Sequence, residues 1–563
     1  MNRAQAPALA LLLAACAGVS ACGLNQAGVT PPSDTIAFPA SAVLDRNSDW
    51  LFVTNSNADL RYNDGTLVAL SMERAWVDRQ PYKPGDPTAV PPTTENHPDW
   101  GDCPQVNYER PRVDPRRFCC WDVVNHEREA LNCDERGYID SDDISANPDV
   151  PDSDRGLGNV RIGSFAAGMV LQQAKCPVDV KKGQDQGRAA CTTCDGYTSV
   201  RDRLLLGVRG DTSLTFIDVE STGPTKPPSL RCVGDSEKPD AAGNRVSCDA
   251  EHRVIRAPSG LASVGSMPSD TPPPDVALPD EPYALAIDDD AGILFIGHLT
   301  GNTARAYTGG FSMFDIAPRA LNGPQMSDSM EPGLEAPRFI APFPSPFSAN
   351  SVGSVGVSGL KTRTVTMPRT PMPMVAPWVA TAGVYATSRF VPQVAGLGTT
   401  TACPVDDTPY REIAAFPNGT YYSSPLSGAE TRGVEFIDER RSFVLQRTPP
   451  ALIGFLDSTP TDVLETCGSP TFLDQHDSGV GPRLFVTCFA DGEIYVFDPT
   501  VPRLVTTFRV GRGPAGLVFD EHRPVAYAVG FGDNNVSVID LQPGNPTEYQ
   551  VIQRIGFPRT IPR

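Results

Sequence analysis

Apolar residues along this chain come in short bursts that alternate with polar ones and stop at turn formers. Pro514–Asp520 reads PAGLVFD, Pro282–Asp288 reads PYALAID and Pro39–Asp45 reads PASAVLD. All three fit Pro-x-x-φ-x-φ-Asp, with φ apolar. A period of two buries one side of a short strand, and the proline marks its start. A second unit follows: an aliphatic-aromatic strand, a Gly/Asn/Asp turn, and a strand ending in Asp. It reads LFVTCFADGEIYVFD at Leu484–Asp498, LLLGVRGDTSLTFID at Leu204–Asp218 and VAYAVGFGDNNVSVID at Val525–Asp540. Looser copies start at Leu51 and at Ile293, the latter with a longer turn through Gly301 and Gly309. Each is a hairpin signal, because β-rich runs flank residues that tolerate tight-turn backbone angles.

Equivalent aspartates in the last two units, Asp498 and Asp540, stand 42 residues apart. About 40 to 45 residues with four short strands is the period of a propeller blade. LFVTN at Leu51, LFVTC at Leu484, the strands ending in Asp, and LVTTFRV leading into Gly511–Pro514 resemble the YVTN or YncE-like β-propeller repeat. The resemblance covers 470–556, with partial copies over 36–70, 200–219 and 280–316. It implies an all-β, WD40-like toroid of seven blades, each a four-stranded antiparallel sheet. Five hairpin units are visible, and two more are expected around 364–392 and 433–457. Tyr549–Phe557 is expected to complete the last blade, with closure near Ile36. A ring is the physical answer because one blade cannot cover both of its apolar faces.

Composition agrees with many short strands, since 56 Pro and 49 Gly punctuate the chain too often for long helices. Residues 36–563 are read as one propeller domain. Stretches at about 75–157, 221–278 and 318–360 interrupt the repeat and are expected to be loops from the rim. Many of the 14 cysteines fall in or near them. Cys103, Cys119, Cys120, Cys133, Cys176, Cys191, Cys194, Cys232, Cys248, Cys403, Cys467 and Cys488 are disulfide candidates, with pairings that spacing does not determine.

The first 21 residues form a secretory leader: Arg3, the apolar run Ala8–Ala15, then small residues. Two tetrapeptides there resemble the bacterial lipobox, Leu13–Cys16 and Val19–Cys22. Acylation at Cys22 discards Cys16 and leaves an even number of thiols for pairing, so Cys22 is the expected lipid attachment site and Cys16 the alternative. Residues 22–35 then form a flexible tether. Gly23 is not the aspartate that holds lipoproteins in the inner membrane of enterobacteria, which points to the outer membrane, facing periplasm or exterior.

The chain carries a net charge of −20, which repels phosphate backbones and argues against nucleic acid as a partner. His97, His126, His252, His298, His476 and His522 are scattered singly and make no ligand pair. Cys191-x-x-Cys194 with Cys176 or a histidine is an alternative metal set, weighed against a disulfide role. The acidic run Asp140–Asp154 has carboxylates for Ca²⁺ but lacks the glycine and terminal glutamate of an EF-hand loop, so no cofactor is expected. Asp218, Asp315, Asp498 and Asp540 recur at strand ends and are expected to cap turns. No nucleophile elbow or phosphate loop occurs. The resulting expectation is a monomeric, lipid-anchored, non-enzymatic protein that binds an envelope protein or polysaccharide. The alternative is a lactonase- or hydrolase-like propeller enzyme with its site at the channel mouth.

Overall fold

A computed structural model describes residues 31, 35–79 except 63, short segments between 119 and 139, 158–173, 202–221, parts of 223–255, 277–299 except 290 and 291, 309–316, 337–344, 357, 359–364, 380–387, 393–402, 412–423, 425–426, 429–457 and 459–556. The strands form seven sheets. Their first strands are Pro39–Leu44, Ala166–Gln173, Pro282–Asp288, Gly359–Thr364, Ala429–Phe436, Pro470–Asp477 and Pro514–Phe519. Each of these packs against the next, and the last against the first, so they line the axis of a closed β-propeller. Within each sheet the chain then steps outward through antiparallel neighbours.

The second strands show why the ring closes. Trp50–Asn55 is buried along its whole length. Its odd residues Leu51 and Val53 join a core with Val525, Tyr527 and Val529 of the seventh sheet. Trp50 and Phe52 face the other way, into a core with Leu204, Leu206 and Val208 of the second. Leu205 lies in the next core, with Leu294 and Ile296 of the third sheet. A strand sandwiched between two neighbours must be apolar on both faces, hence the unbroken runs WLFV and LLLGV.

Seven uniform four-stranded blades were expected, and this is corrected. The second sheet has five strands and the seventh has six. Six sheets share one construction: the first strand carries a register shift near its start, between its first and third residues in five sheets, as between Pro39 and Ser41, and between Thr431 and Gly433 in the fifth, whose strand begins at Ala429. The fourth sheet departs from it, with no such shift and with outer strands Gln393–Ala402 and Glu412–Ser423.

The extra strands come from stretches read as rim loops. Cys119–Trp121 and Leu131–Cys133 extend the seventh sheet, the latter running parallel to Val551–Ile555. Ser229–Arg231 and Arg253–Val254 both pair with Ser213–Glu220 in the second sheet. Arg338–Pro344 is the outer strand of the third. The helix Met72–Arg79 leaves the third strand of the first sheet, and Ser71 Oγ caps it by accepting the Arg74 N–H at 3.3 Å.

Closure is by packing rather than by a shared strand. Val551–Ile555 is the fourth strand of the seventh sheet, and Ile36 packs in one core with Ile552 and Ile555. Arg523 ties the two sheets from below, donating to the Ser48 carbonyl at 2.6 Å and to Glu73 Oε2 at 2.7 Å. The leader, Cys16, Cys22 and the Asp140–Asp154 run lie outside the described residues, as does the expected tether 22–35 apart from Pro31 and Thr35, both of which are buried.

Candidate functional site: the axial cavity

The seven first strands enclose a cavity of about 800 Å³. Much of its wall comes from the same positions of successive sheets, because each register shift turns the residue it skips inward. Those residues are Ala40, Ala167, Tyr283, Arg432, Thr471 and Ala515, and all line the cavity. The residue two before each of these is held at positive φ in five sheets: Phe38, Phe165, Glu281, Glu430 and Gly513. For the four that are not glycine this is a cost of order 1 kcal/mol each, sustained by the surrounding ladder. The strands approach closely, and a Cβ on Gly168 would stand 2.6 Å from the Tyr283 carbonyl oxygen. Only glycine lets the second and third sheets meet there.

The wall is divided. The first, second, third and seventh sheets contribute Ala42, Met169, Val170, Leu285, Ile287 and Leu517, and none of their first-strand residues that line the cavity is charged. Phe489 and Phe531 lie at one mouth, with ring centroids 6.0 Å apart, and Phe38 meets Phe531 at 5.5 Å with its ring tilted by 56°. The fourth, fifth and sixth sheets supply the charge. Lys361 Nζ donates to Glu435 Oε1 at 2.7 Å and reaches Asp474 Oδ1 at 3.4 Å. Higher on the fifth sheet, Arg432 pairs with Glu430 at 3.4 Å, and across the cavity Arg209 pairs with Glu281 at 3.2 Å.

Glu435 is 5% exposed. Burial pushes its pKa up to about 7 against the pull of Lys361, and the neighbouring Asp474 adds to the rise. Desolvation opposes the charge on Lys361, but Asp474 and Glu435 together hold its pKa above the ordinary lysine value. Two carboxylates therefore share one ammonium on the wall of a mostly apolar chamber.

These residues were not singled out in the sequence, although a signal was there. Aligned on the register shift, Glu435 and Asp474 occupy the fifth position of the first strand, where other sheets carry Val43, Val170, Ala286 and Val518. An acid in an apolar slot of a repeat is the mark that could have found them.

The sequence-derived candidates distribute elsewhere. Cys119–Cys133, Cys232–Cys248 and Cys467–Cys488 are disulfides, and Cys120 is disulfide-bonded as well. Cys103, Cys176, Cys191, Cys194 and Cys403 lie outside the described residues, as do His97 and His126. His298 is buried, its Nδ1 3.1 Å from the Asp280 carbonyl and its Nε2 2.8 Å from Ser312 Oγ. Burial pushes its pKa down to about 4. His476 stacks on Phe519 at 4.5 Å, and His522 Nδ1 lies 3.2 Å from Ser48 Oγ. Among the described residues no three His, Cys, Asp or Glu side chains cluster as metal ligands. No described helix is long and apolar enough to cross a membrane.

Two of the strand-end aspartates act as turn caps. Asp498 Oδ1 accepts the Thr500 N–H at 2.9 Å, and Asp540 Oδ1 accepts the Gln542 N–H at 2.9 Å. Asp218 instead takes Arg203 Nε at 2.6 Å, so its expected role as a cap is replaced by an ion pair with a buried guanidinium. The side chain of Asp315 lies outside the described residues.

No protein-family model matches this chain, and no curated protein matches it. Solved structures with similar arrangements include a dihydro-heme d1 dehydrogenase, NirN, 12% identical with a TM-score of 0.32. That match covers 64% of this chain and 54% of the other, so this chain spans about half of that protein. AztD from Citrobacter koseri, in its apo form, is 10% identical with a TM-score of 0.31, covering 85% and 88%. Virginiamycin B lyase from Staphylococcus aureus is 13% identical with a TM-score of 0.29, covering 50% and 71%. At these scores none bears on activity, and the propeller assignment rests on the strand order itself.

Proposed function

We propose that this protein is an exported, lipid-anchored binding propeller with YVTN-type repeats, and that its axial cavity is the ligand site. The observation that carries the reading is the cavity. Its volume of about 800 Å³, its mostly apolar wall and its few convergent polar groups match the usual makeup of small-molecule sites. The three described disulfides support export to an oxidising compartment. Acylation at Cys22, with Cys16 as alternative, would hold the propeller at the outer membrane as a monomer. In this reading its insertions, 75–157 above all, would meet an envelope protein or polysaccharide.

The test fills the cavity. Nile red, a neutral apolar dye, is expected to brighten on binding the purified mature protein and to lose that signal in Ala515→Trp and Ala286→Trp. Dye binding that survives both substitutions sinks the reading. Intact mass spectrometry of the membrane-extracted protein reports the acylated cysteine in the same preparation.

A second reading, a hydrolase-type enzyme, is favoured by one observation: Glu435 carries a pKa of about 7 beside Asp474, the condition for a general acid–base near neutral pH. Turnover of a lactone or ester panel that disappears in Glu435→Gln would select it; no turnover by the wild type rejects it.

A further inference from the structure

Among the described residues, the Lys361 cluster on the cavity wall sets one ammonium against two carboxylates. Lys361 on the fourth sheet faces Glu435 on the fifth and Asp474 on the sixth, at 2.7 and 3.4 Å. A buried acid is stable as an anion only when a cation compensates it, and here one ammonium serves two carboxylates. The other described guanidiniums lining the cavity already have acidic partners, Arg209 in Glu281 and Arg432 in Glu430, which Arg447 also approaches at 3.6 Å. Opposite the carboxylates the wall is hydrocarbon, and the mouth carries Phe489 and Phe531, whose faces attract organic cations.

We propose that the cavity selects an apolar organic cation: an amine whose ammonium joins Lys361 in compensating Glu435 and Asp474, and whose hydrocarbon or aromatic body rests on Val170, Leu285, Ile287 and Leu517. The inference rests on the cavity being a ligand site, and it adds the class of ligand. A bare metal ion is the weaker occupant, because the Lys361 ammonium already sits between the two carboxylates that would have to ligate it. Binding also has a protonic signature. Burial holds Glu435 near neutrality with Lys361 and Asp474 as its charged neighbours, so an arriving ammonium drives it to the anion and a proton leaves for solvent.

Three probes that share an indole body and differ in charge separate the possibilities: tryptamine, a cation; indole-3-propionate, an anion; and 3-ethylindole, neutral. Calorimetry on the mature full chain is expected to show tryptamine binding at least ten-fold tighter than the other two. Near pH 7 its heat is expected to depend on the ionisation enthalpy of the buffer, as proton release requires. Glu435→Gln and Asp474→Asn are each expected to weaken tryptamine at least ten-fold while leaving 3-ethylindole within two-fold. If Glu435→Gln does not fold, Asp474→Asn makes the same comparison. Equal or tighter binding of the anion or the neutral probe overturns the cation preference and leaves the cavity reading standing. No binding by any of the three overturns both.

Discussion

His298 and Asn55 occupy the same position in their sheets, and both fasten the backbone that leads into the first strand. Each pairs in register with the proline that opens that strand, His298 with Pro282 and Asn55 with Pro39. Asn55 Oδ1 accepts the Ala37 N–H at 2.9 Å, and His298 Nδ1 donates to the Asp280 carbonyl at 3.1 Å. Ala37 and Asp280 each stand two residues ahead of their proline. Cys488 pairs with Pro470 in the same position and reaches the preceding segment through its disulfide to Cys467. One structural task is thus met by an amide, an imidazole and a disulfide.

The imidazole makes its sheet sensitive to acid. His298 is fully buried and its pKa is pushed down to about 4 from an ordinary 6.5. Below pH 6.5 the unfolded chain takes up a proton that the folded chain refuses. Stability from this site is therefore complete above 6.5 and is lost as pH falls through 4, by on the order of 3 kcal/mol. Urea unfolding at pH 7 and 4.5 is expected to show a loss in the wild type that is smaller by that amount in His298→Asn. Identical losses would contradict it.

Asp45 works in the opposite direction. Burial raises its pKa to about 6, against the Trp50 and Asp49 N–H groups it accepts at 3.1 and 2.7 Å. A raised acid stabilises the fold below its unfolded pKa of 3.8, and that stability is lost as pH rises through 6. Asp45→Asn keeps an acceptor oxygen, so its stability relative to the wild type is expected to grow between pH 4 and 7, by up to about 3 kcal/mol. A flat difference across that range would refute the assignment.

The Cys467–Cys488 disulfide closes a loop of 21 residues and ties the start of the sixth sheet to its second strand. On chain-entropy grounds its removal costs about 3 kcal/mol. The Cys467→Ala/Cys488→Ala double variant is expected to unfold at lower denaturant with an unchanged slope, and an unshifted midpoint would show the tie to be dispensable.

Arg523 is the polar clasp of the ring. It bonds Ser48 and Glu73 across the closure, and its guanidinium lies 6.0 Å from the Trp76 ring. Arg523→Ala is expected to cost about 2 kcal/mol. Hydrogen exchange is expected to accelerate first in Trp50–Asn55 and Val525–Gly530, the central strands of the two sheets that meet there. Uniform acceleration across all sheets would argue against a local clasp.

Much of the fold was legible because it follows from local periodicity. Leu51, Leu204, Ile293, Leu484 and Val525 all begin or lie within second strands, where burial on both faces forces continuous apolar text. The added strands were not legible. Leu131–Cys133 has no alternation of its own and is a strand because it pairs with Val551–Ile555 on one side and Cys119–Trp121 on the other. The fourth sheet was seen only as scattered strand text around Ala380–Thr387, since it lacks the opening proline and the register shift. The cavity was hidden for a different reason. Lys361, Glu435 and Asp474 are far apart in sequence and are brought together only by ring closure, so no spacing links them.

The central claim is that the axial cavity holds the ligand. A crystal of the mature protein soaked in tryptamine tests it most directly. The account predicts one indole in the cavity, its ammonium within hydrogen-bonding distance of Glu435 and Asp474. An empty cavity, with the indole found on an outer blade edge, would contradict it.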